Sequence, residues 1–345
     1  MLVERVEAKW IDVFREVFDL CRVATGDEVV ILSESQSRQI NVQLSELALL
    51  ALGAKVFHLV LPTPELISSV PIRSTGSSDA LRDRTPIVTA LARTSLVVDL
   101  TVEGLLHAPQ LPSILEQGAR VLTISNEHPE ALERLRPEES LRSQVQDAVR
   151  KTKAAKSMSV ASEAGTQLTI DLANGPVAGV WGWTDRPGTI AHWPGGVVVA
   201  FPRRHSVSGH LVLDIGDINL TFKRYLESPV TLVIEDDYVT AVEGSGVDAI
   251  LMRNYYDAWS DPEAYGVSHV GWGLNRKARY EALTVYDRKD TNGTELRTLA
   301  GSFLFSTGAN EHAERFSLGH FDLPMLGCTI KLDNEVVVSQ GKLLG

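Results

Sequence analysis

The sequence predicts an α/β N-terminal domain with a parallel, doubly wound sheet, followed by a mainly antiparallel, β-rich α+β domain. Up to about residue 156, helical stretches alternate with fully apolar strands, which is typical of a parallel sheet covered on both faces. From residue 157 onward, the strands are β-branched or alternate apolar with polar residues, as in antiparallel sheets. The length of 345 residues also suits more than one domain. We therefore expect one domain over residues 1–156 and a second over residues 157–345.

The first domain begins with a predicted amphipathic helix over residues 5–24, because Trp10, Phe14 and Val17 recur at helical spacing. Its further predicted elements, in chain order, are a strand over 28–33, a helix over 38–52, strands over 54–61 and 95–101, a helix over 111–117, a strand over 120–125 and a charged helix over 137–156. In sheets of this kind, ligands bind outside the carboxyl ends of the strands.

The second domain is predicted from short β-rich runs separated by turn residues. Its predicted strands cover residues 167–172, 196–201, 211–215, 230–234 and 238–243. Its predicted helices cover residues 246–257 and 308–315.

Charge and composition exclude several classes of partner. The chain carries 33 Lys and Arg against 44 Asp and Glu, a net charge of -11, whereas nucleic acids and anionic membranes attract basic surfaces. The longest apolar run, residues 47–54, is far shorter than the ~20 residues that span a bilayer. Cys21 and Cys328 cannot make a disulfide scaffold, and the N-terminus lacks a signal-peptide pattern. We therefore expect a cytoplasmic protein that binds neither nucleic acid nor membrane.

Several catalytic motifs are missing from the sequence. It contains no GxxxxGK[ST] phosphate loop, no GxSxG elbow, no HExxH and no CxxC. The run from Gly271 to Arg276 begins like a dinucleotide fingerprint but lacks its last glycine. A nucleotide cofactor is therefore not expected.

The pair His320 and Asp322 is the best candidate for a metal site. In an extended segment, residues two apart point to the same face, so an imidazole and a carboxylate would lie side by side. With a distant histidine, this pair would form the 2-His-1-carboxylate arrangement that holds Fe(II). His269, in a glycine-rich segment, is the first choice for that histidine. His192 and His107 stand in segments of similar character.

Three stretches resemble the thermophilic-type metallo-aminopeptidases: residues 194–202, residues 271–275 and residues 319–322. That family places one metal-binding glutamate in the first stretch and another just before the second. Here those positions hold Val197 and His269. Because a two-metal peptidase needs the carboxylates, their replacement leaves a single-metal site. With these replacements, the chain resembles the 2,5-dihydroxypyridine 5,6-dioxygenase family over nearly its whole length.

The resemblance implies one Fe(II) ion held by His269, His320 and Asp322. It also implies ring opening of 2,5-dihydroxypyridine by O₂ to N-formylmaleamate, a reaction of nicotinate catabolism, and a homo-oligomeric protein. His107 is the candidate acid or base, since proton movement must accompany the oxygen chemistry. The residues expected to contact the substrate are Leu106, His192 and Ser306.

Two other interpretations stay open. A metallo-aminopeptidase would keep His320 and Asp322 but would need to work with Val197 and His269 at the glutamate positions. A metal-free binding or structural protein would treat the candidate ligands as unrelated loop residues. Metal analysis of the purified protein separates this last interpretation from both enzymes.

Overall fold

The computed structural model describes residues 3–66, 68–69 and 76–344. The first part of the chain alternates helices and strands, as predicted. Its elements are α1 (Ala8–Leu20), β1 (Glu28–Glu34), α2 (Gln39–Ala51), β2 (Lys55–Leu61), α3 (Thr85–Leu91), β3 (Leu96–Leu100), α4 (Leu111–Leu115), β4 (Arg120–Ile124), α5 (Pro129–Arg134) and α6 (Glu139–Ala154). The sequence did not predict α3 and α5, which have 7 and 6 residues and are too short to show a helical period.

The rest of the chain is rich in strands. Its strands are β5 (Ser157–Ala161), β6 (Gln167–Asp171), β7 (Val177–Val180), β8 (Ile190–Trp193), β9 (Val197–Ala200), β10 (Val207–Leu213), β11 (Ile218–Asn219), β12 (Arg224–Tyr225), β13 (Val230–Glu235), β14 (Tyr238–Glu243), β15 (Val267–Gly273), β16 (Phe303–Asn310), β17 (Arg315–Met325), β18 (Thr329–Leu332), β19 (Glu335–Ser339) and β20 (Lys342–Leu343). Its helices are α7 (Val247–Trp259), α8 (Ala282–Val285) and α9 (Thr294–Arg297).

The N-terminal sheet is parallel, with strand order β2-β1-β3-β4-β8. Buried residues of α1 and α2 pack against one face, and buried residues of α3 and α4 pack against the other. Coverage on both faces explains why the central strands are apolar along their length. The predicted α/β part with a parallel sheet is therefore confirmed.

Apart from β8, the later strands form antiparallel sheets, which confirms the predicted β-rich second part. One sheet has the order β14-β13-β10-β6-β5-β18-β19-β20, and another has the order β17-β16-β15-β9-β7. We call the latter the site sheet. A large apolar cluster joins buried residues of both sheets with Met252 and Tyr255 of α7.

The predicted helix over residues 308–315 is wrong. Strand β16 continues to Asn310, a short 3-10 turn follows, and β17 begins at Arg315. Gly308 has a φ of 110°, and a Cβ at this position would lie 1.8 Å from the carbonyl oxygen of Gly319. Glycine therefore lets the two paired strands approach each other, and the pairing is irregular between Gly308 and Asn310.

Strand β8 connects the two parts of the molecule. It belongs to residues 157–345 but pairs in parallel with β4, from Val121 opposite Ile190 to Ile124 opposite Trp193. It thereby brings residues of the later chain to the carboxyl edge of the parallel sheet, where ligand sites of such sheets lie. The division of the chain at residue 156 stays a prediction. In the described ranges, no helix is long and apolar enough to cross a membrane.

Candidate metal centre

A cavity of about 140 Å³ lies at the carboxyl edge of the parallel sheet, against the site sheet. Its lining includes the loop after β3, the end of β4 and parts of β8, β9, β15 and β17. The predicted site residues that line it are Leu106, His107, His192, His269, His320 and Asp322. Ser306, the remaining predicted site residue, is fully buried and contacts two of these side chains. The fold therefore brings the predicted residues together from both parts of the chain.

His320 and Asp322 share one face of β17. The extended backbone places Nε2 of His320 3.1 Å from Oδ1 of Asp322. Ser306, paired with Asp322 across the β16–β17 ladder, donates a hydrogen bond to Oδ1. Arg297 of α9 donates to the other oxygen, Oδ2. These contacts fix the orientation of the buried carboxylate.

Ser268 supplies a hydrogen-bond acceptor for Nδ1 of His269. The Ser268 hydroxyl donates to the carbonyl oxygen of Ala309 and lies 3.2 Å from Nδ1 of His269. Because a hydroxyl has a single proton to donate, Ser268 can accept a hydrogen bond from Nδ1–H, the form of the neutral ring that leaves the lone pair of Nε2 for a metal ion. That Nε2 lies 3.1 Å from Oγ of Ser306 and 3.8 Å from Oδ1 of Asp322. Metal-binding histidines typically donate the N–H of the nitrogen that does not bind the metal, here Nδ1, to a partner such as Ser268.

His107, in the loop after β3, lies beside His269 and His320. His107, His269 and His320 each offer one ligand atom, and these atoms lie within 4.8 Å of one another. The ring centroid of His107 is 4.4 Å from that of His320 and 6.0 Å from that of His269. Among the described residues, its buried Nε2 has no hydrogen-bond partner. His107 is thus close enough to interact directly with a metal ion or with a molecule bound beside it.

Burial sets the protonation states of the cluster. It lowers the pKa of His269 to about 3 and holds the pKa of His107 well below its usual value. Burial alone would raise the pKa of Asp322, but the attraction of His320 and Arg297 holds that pKa well below its usual value. At neutral pH, His107 and His269 are therefore neutral imidazoles beside the ionised carboxylate of Asp322. These are the forms that bind a divalent cation.

The donor set fits a transition-metal ion. Two ligands at right angles, each about 2.1 Å from an ion, lie roughly 3 Å apart. The distances from Oδ1 of Asp322 to Nε2 of His320 and of His269 are 3.1 and 3.8 Å, which approach this spacing. Imidazole nitrogens with one carboxylate suit iron better than they suit magnesium or calcium, which prefer oxygen ligands.

His192 on β8 offers a hydrogen-bond acceptor to the cavity. Its Nδ1 lies 2.6 Å from the carbonyl oxygen of Pro194, so Nδ1 must carry the proton. Burial lowers the pKa of His192 to about 4, so the ring is neutral at neutral pH and its lone pair is on Nε2. A ligand that donates a hydrogen bond would therefore match this position.

Much of the remaining cavity wall is apolar. Val197, Val199 and Leu304 form a small buried cluster with Phe201 packed against it. The ring centroid of Phe201 is 5.6 Å from that of His269. Apolar walls with a few placed polar groups suit a small planar ring that bears polar substituents.

Arg297 and Ser268 contact candidate ligands, but sequence reasoning missed both. Arg297 lies on a short helix, and no local pattern links it to Asp322 on β17. Ser268 is adjacent to His269 in the sequence, and this adjacency was the available signal that it contacts a candidate ligand. Their roles depend on how separate segments pack against each other.

Known proteins resemble this chain over nearly its full length. Residues 9–345 match the family model described as NicX, 2,5-dihydroxypyridine 5,6-dioxygenase. The chain is 36% identical over 342 residues to a 2,5-dihydroxypyridine 5,6-dioxygenase of Pseudomonas putida KT2440, covering 98% of this chain and 96% of that protein. A solved 2,5-dihydroxypyridine dioxygenase from the same strain gives a TM-score of 0.93 at 35% identity, covering 99% of both chains. Wild-type AmpT from Thermus thermophilus gives a TM-score of 0.63 at 13% identity, covering 98% of this chain and 99% of that one, which shows likeness of fold alone.

Proposed function

Because this chain belongs to the 2,5-dihydroxypyridine 5,6-dioxygenase family, we propose that it cleaves the ring of 2,5-dihydroxypyridine with O₂. The proposed reaction breaks the bond between ring carbons 5 and 6, gives N-formylmaleamate and serves nicotinate catabolism. The observation that supports it best is the convergence of His269, His320 and Asp322 at the wall of a small cavity, with His107 beside them.

The proposed ligands of a single Fe(II) ion are His269, His320 and Asp322. Such a set leaves positions open on the ion, so the bound ion would accept O₂ and a substrate oxygen side by side and pass electrons between them. Ser306 and Arg297 orient Asp322, so that Oδ1 is the oxygen turned toward both histidines.

The protein's own side chains bind and orient the substrate in this proposal. The apolar wall that includes Val199 and Phe201 contacts the faces of the ring and limits the entry of water. Nε2 of His192 accepts a hydrogen bond from the hydroxyl or the ring N–H at the end of the substrate away from the iron. Leu106, which lines the cavity and is 38% exposed, covers the ring from the loop after β3. Ser306 acts through Asp322 and His269.

His107 is the proposed acid and base. Its neutral ring can accept the proton that the 5-hydroxyl loses on binding. The protonated imidazole can then return that proton to an oxygen that gains charge as the substrate ring opens. Its position beside His320, a proposed iron ligand, supports this role.

The alternative function, a metallo-aminopeptidase, needs carboxylates that hold a second metal ion. One such position holds Val197, which is buried against Val199 and Leu304. The other holds His269, which faces Asp322. These two side chains therefore favour the dioxygenase.

Anaerobic purification, iron loading and oxygen uptake test the proposal. The Fe(II)-loaded protein should consume O₂ when 2,5-dihydroxypyridine is added, with loss of the ultraviolet absorbance of the ring. Asp322→Asn, which keeps the shape but removes the charge, is the matched inactive control. Efficient release of amino acids from peptides with zinc, cobalt or manganese would contradict the proposal.

We also propose that the chain is a homo-oligomer. Strand β2 lies at the edge of the parallel sheet and exposes Phe57 and Val60, and proteins normally cover such apolar edges. A second copy of the chain would cover it. Light scattering measures the mass in solution, and a mass of 37.7 kDa, that of one chain, would contradict the proposal. Cytoplasmic localisation stays a prediction.

A further inference from the structure

Asp99, near the end of β3, is a fully buried carboxylate with no part in the proposed chemistry. Its Oδ1 accepts hydrogen bonds from the backbone N–H and the hydroxyl of Thr101, at 3.0 and 2.6 Å. Its Oδ2 accepts from the N–H of Leu105 at 2.8 Å and from the hydroxyl of Thr123 at 2.7 Å. A buried charge is unfavourable unless such bonds compensate for the lost water. The arrangement therefore indicates a specific role for this carboxylate.

The bonds of Asp99 fasten the loop that carries His107. Thr101 is the first residue after β3, and Leu105 comes two residues before His107. Because the two oxygens of one carboxylate hold both N–H groups, the loop has a fixed start and a fixed point close to the catalytic ring. Loops are otherwise the more mobile parts of a fold.

A second segment, residues 76–78, holds the same loop from another side. The N–H of His107 donates to the carbonyl oxygen of Gly76 at 2.8 Å, and the N–H of Ser78 donates to that of Gly104 at 2.7 Å. The Ser78 hydroxyl donates in turn to the buried carboxylate of Glu34, at 2.7 Å. The loop is therefore fixed at several points.

We propose that Asp99 is the positioning residue for His107. By binding Thr101 and Leu105, it keeps the imidazole within reach of the proposed ligands His269 and His320. This inference rests on the proposed function, because it takes His107 as the acid and base. Displacement of a catalytic group by about 1 Å can lower a rate by roughly 10²-fold.

Asp99→Asn tests this proposal. An amide has an NH₂ group in place of one oxygen, so the N–H of either Thr101 or Leu105 would face a donor. The matched control is Asp217→Asn, because Asp217 is also buried and accepts backbone N–H bonds, from Asp214 at 2.8 Å and Leu326 at 2.7 Å, but does not line the cavity. Both variants are compared for iron content, kcat, KM and hydrogen exchange of residues 101–107.

Asp99→Asn should keep its iron, exchange faster over residues 101–107 and lose about 10²-fold in kcat with a much smaller change in KM. Asp217→Asn should keep the wild-type kcat. In a His107→Ala background, Asp99→Asn should change kcat by less than about twofold, because its effect passes through His107. A wild-type kcat in Asp99→Asn, or an equal loss in the His107→Ala background, would overturn the proposal.

Two further results separate this proposal from the proposed function. If His107→Ala alone keeps full turnover, the acid and base role fails, and with it the catalytic importance of Asp99. If Asp99→Asn does not fold, hydrogen exchange in the wild-type protein tests the proposal instead. Slow exchange at the amides of Thr101 and Leu105 supports the proposal, and exchange as fast as in an open loop overturns it.

Discussion

Replacing Ser268 with alanine should weaken iron binding, although Ser268 is not a proposed ligand. When iron binds Nε2 of His269, the proton of the neutral ring is on Nδ1, and Ser268, whose own proton goes to Ala309, accepts a hydrogen bond from it. Without iron, the variant can move the proton to Nε2, where Ser306 or Asp322 can accept it. With iron bound at Nε2, this rearrangement is blocked, and Nδ1–H stays buried without a partner.

The size of the effect follows from that unpaired donor. A buried N–H without a partner costs about 1–3 kcal/mol. Because the cost falls on the iron-bound state, the dissociation constant for Fe(II) should rise by about 5-fold to 150-fold. Loss of an outer hydrogen-bond partner of a metal ligand typically lowers affinity to a similar extent, by about 10–100-fold. Ser268 is fully buried, so water cannot replace its hydroxyl without displacing neighbouring groups.

Anaerobic competition against a chelator of known affinity measures this change. The matched control is Ser302→Ala, because the Ser302 hydroxyl is also buried and also donates to a backbone carbonyl oxygen, that of Leu299 at 2.8 Å. Ser302→Ala should bind Fe(II) within about threefold of the wild type. If Ser268→Ala binds iron as tightly as the control does, Ser268 does not stabilise iron-bound His269 through Nδ1–H.

Two further predictions concern proton transfer and pH. His107→Ala should keep its iron and lose about 10²-fold or more in kcat, checked by iron analysis and steady-state kinetics; unchanged turnover would leave His107 with a structural role. The unfolding free energy of the metal-free protein should fall as the pH drops below 6.5, because His192 has a pKa of about 4 when folded and the unfolded chain binds its proton near 6.5. The stability that neutral His192 contributes is complete above pH 6.5. Below pH 6.5, the unfolding free energy should decline by up to about 1.4 kcal/mol per pH unit. Urea unfolding of the wild type and of His192→Asn measures it, and equal pH slopes would contradict the prediction.

The sequence predicted those parts of the site that depend on local spacing. His320 and Asp322 are two residues apart, and the extended backbone of β17 places them on one face. The apolar strands β1, β3 and β4 were visible because burial on both faces makes them continuous hydrophobic runs.

Features that depend on contacts between distant segments were not predictable in this way. The contact of Arg297 with Asp322 joins a short helix to a strand, and the addition of β8 to the parallel sheet depends on its pairing with β4. The helix predicted over residues 308–315 is wrong because Gly308 has a positive φ that allows close pairing of two strands. From the local sequence, a glycine in this role looks the same as a glycine at the start of a helix. The place of His107 depends on the bonds that Asp99 makes to its loop.

We propose that His269, His320 and Asp322 would hold one iron ion, which would supply dioxygenase chemistry on 2,5-dihydroxypyridine. The decisive measurement is turnover of the Fe(II)-loaded protein under ¹⁸O₂, followed by mass spectrometry of the product. Each cleaved carbon should carry one oxygen from O₂, so the product should contain both labelled atoms, and this incorporation should disappear in Asp322→Asn. A product whose new oxygen comes only from water would contradict the claim.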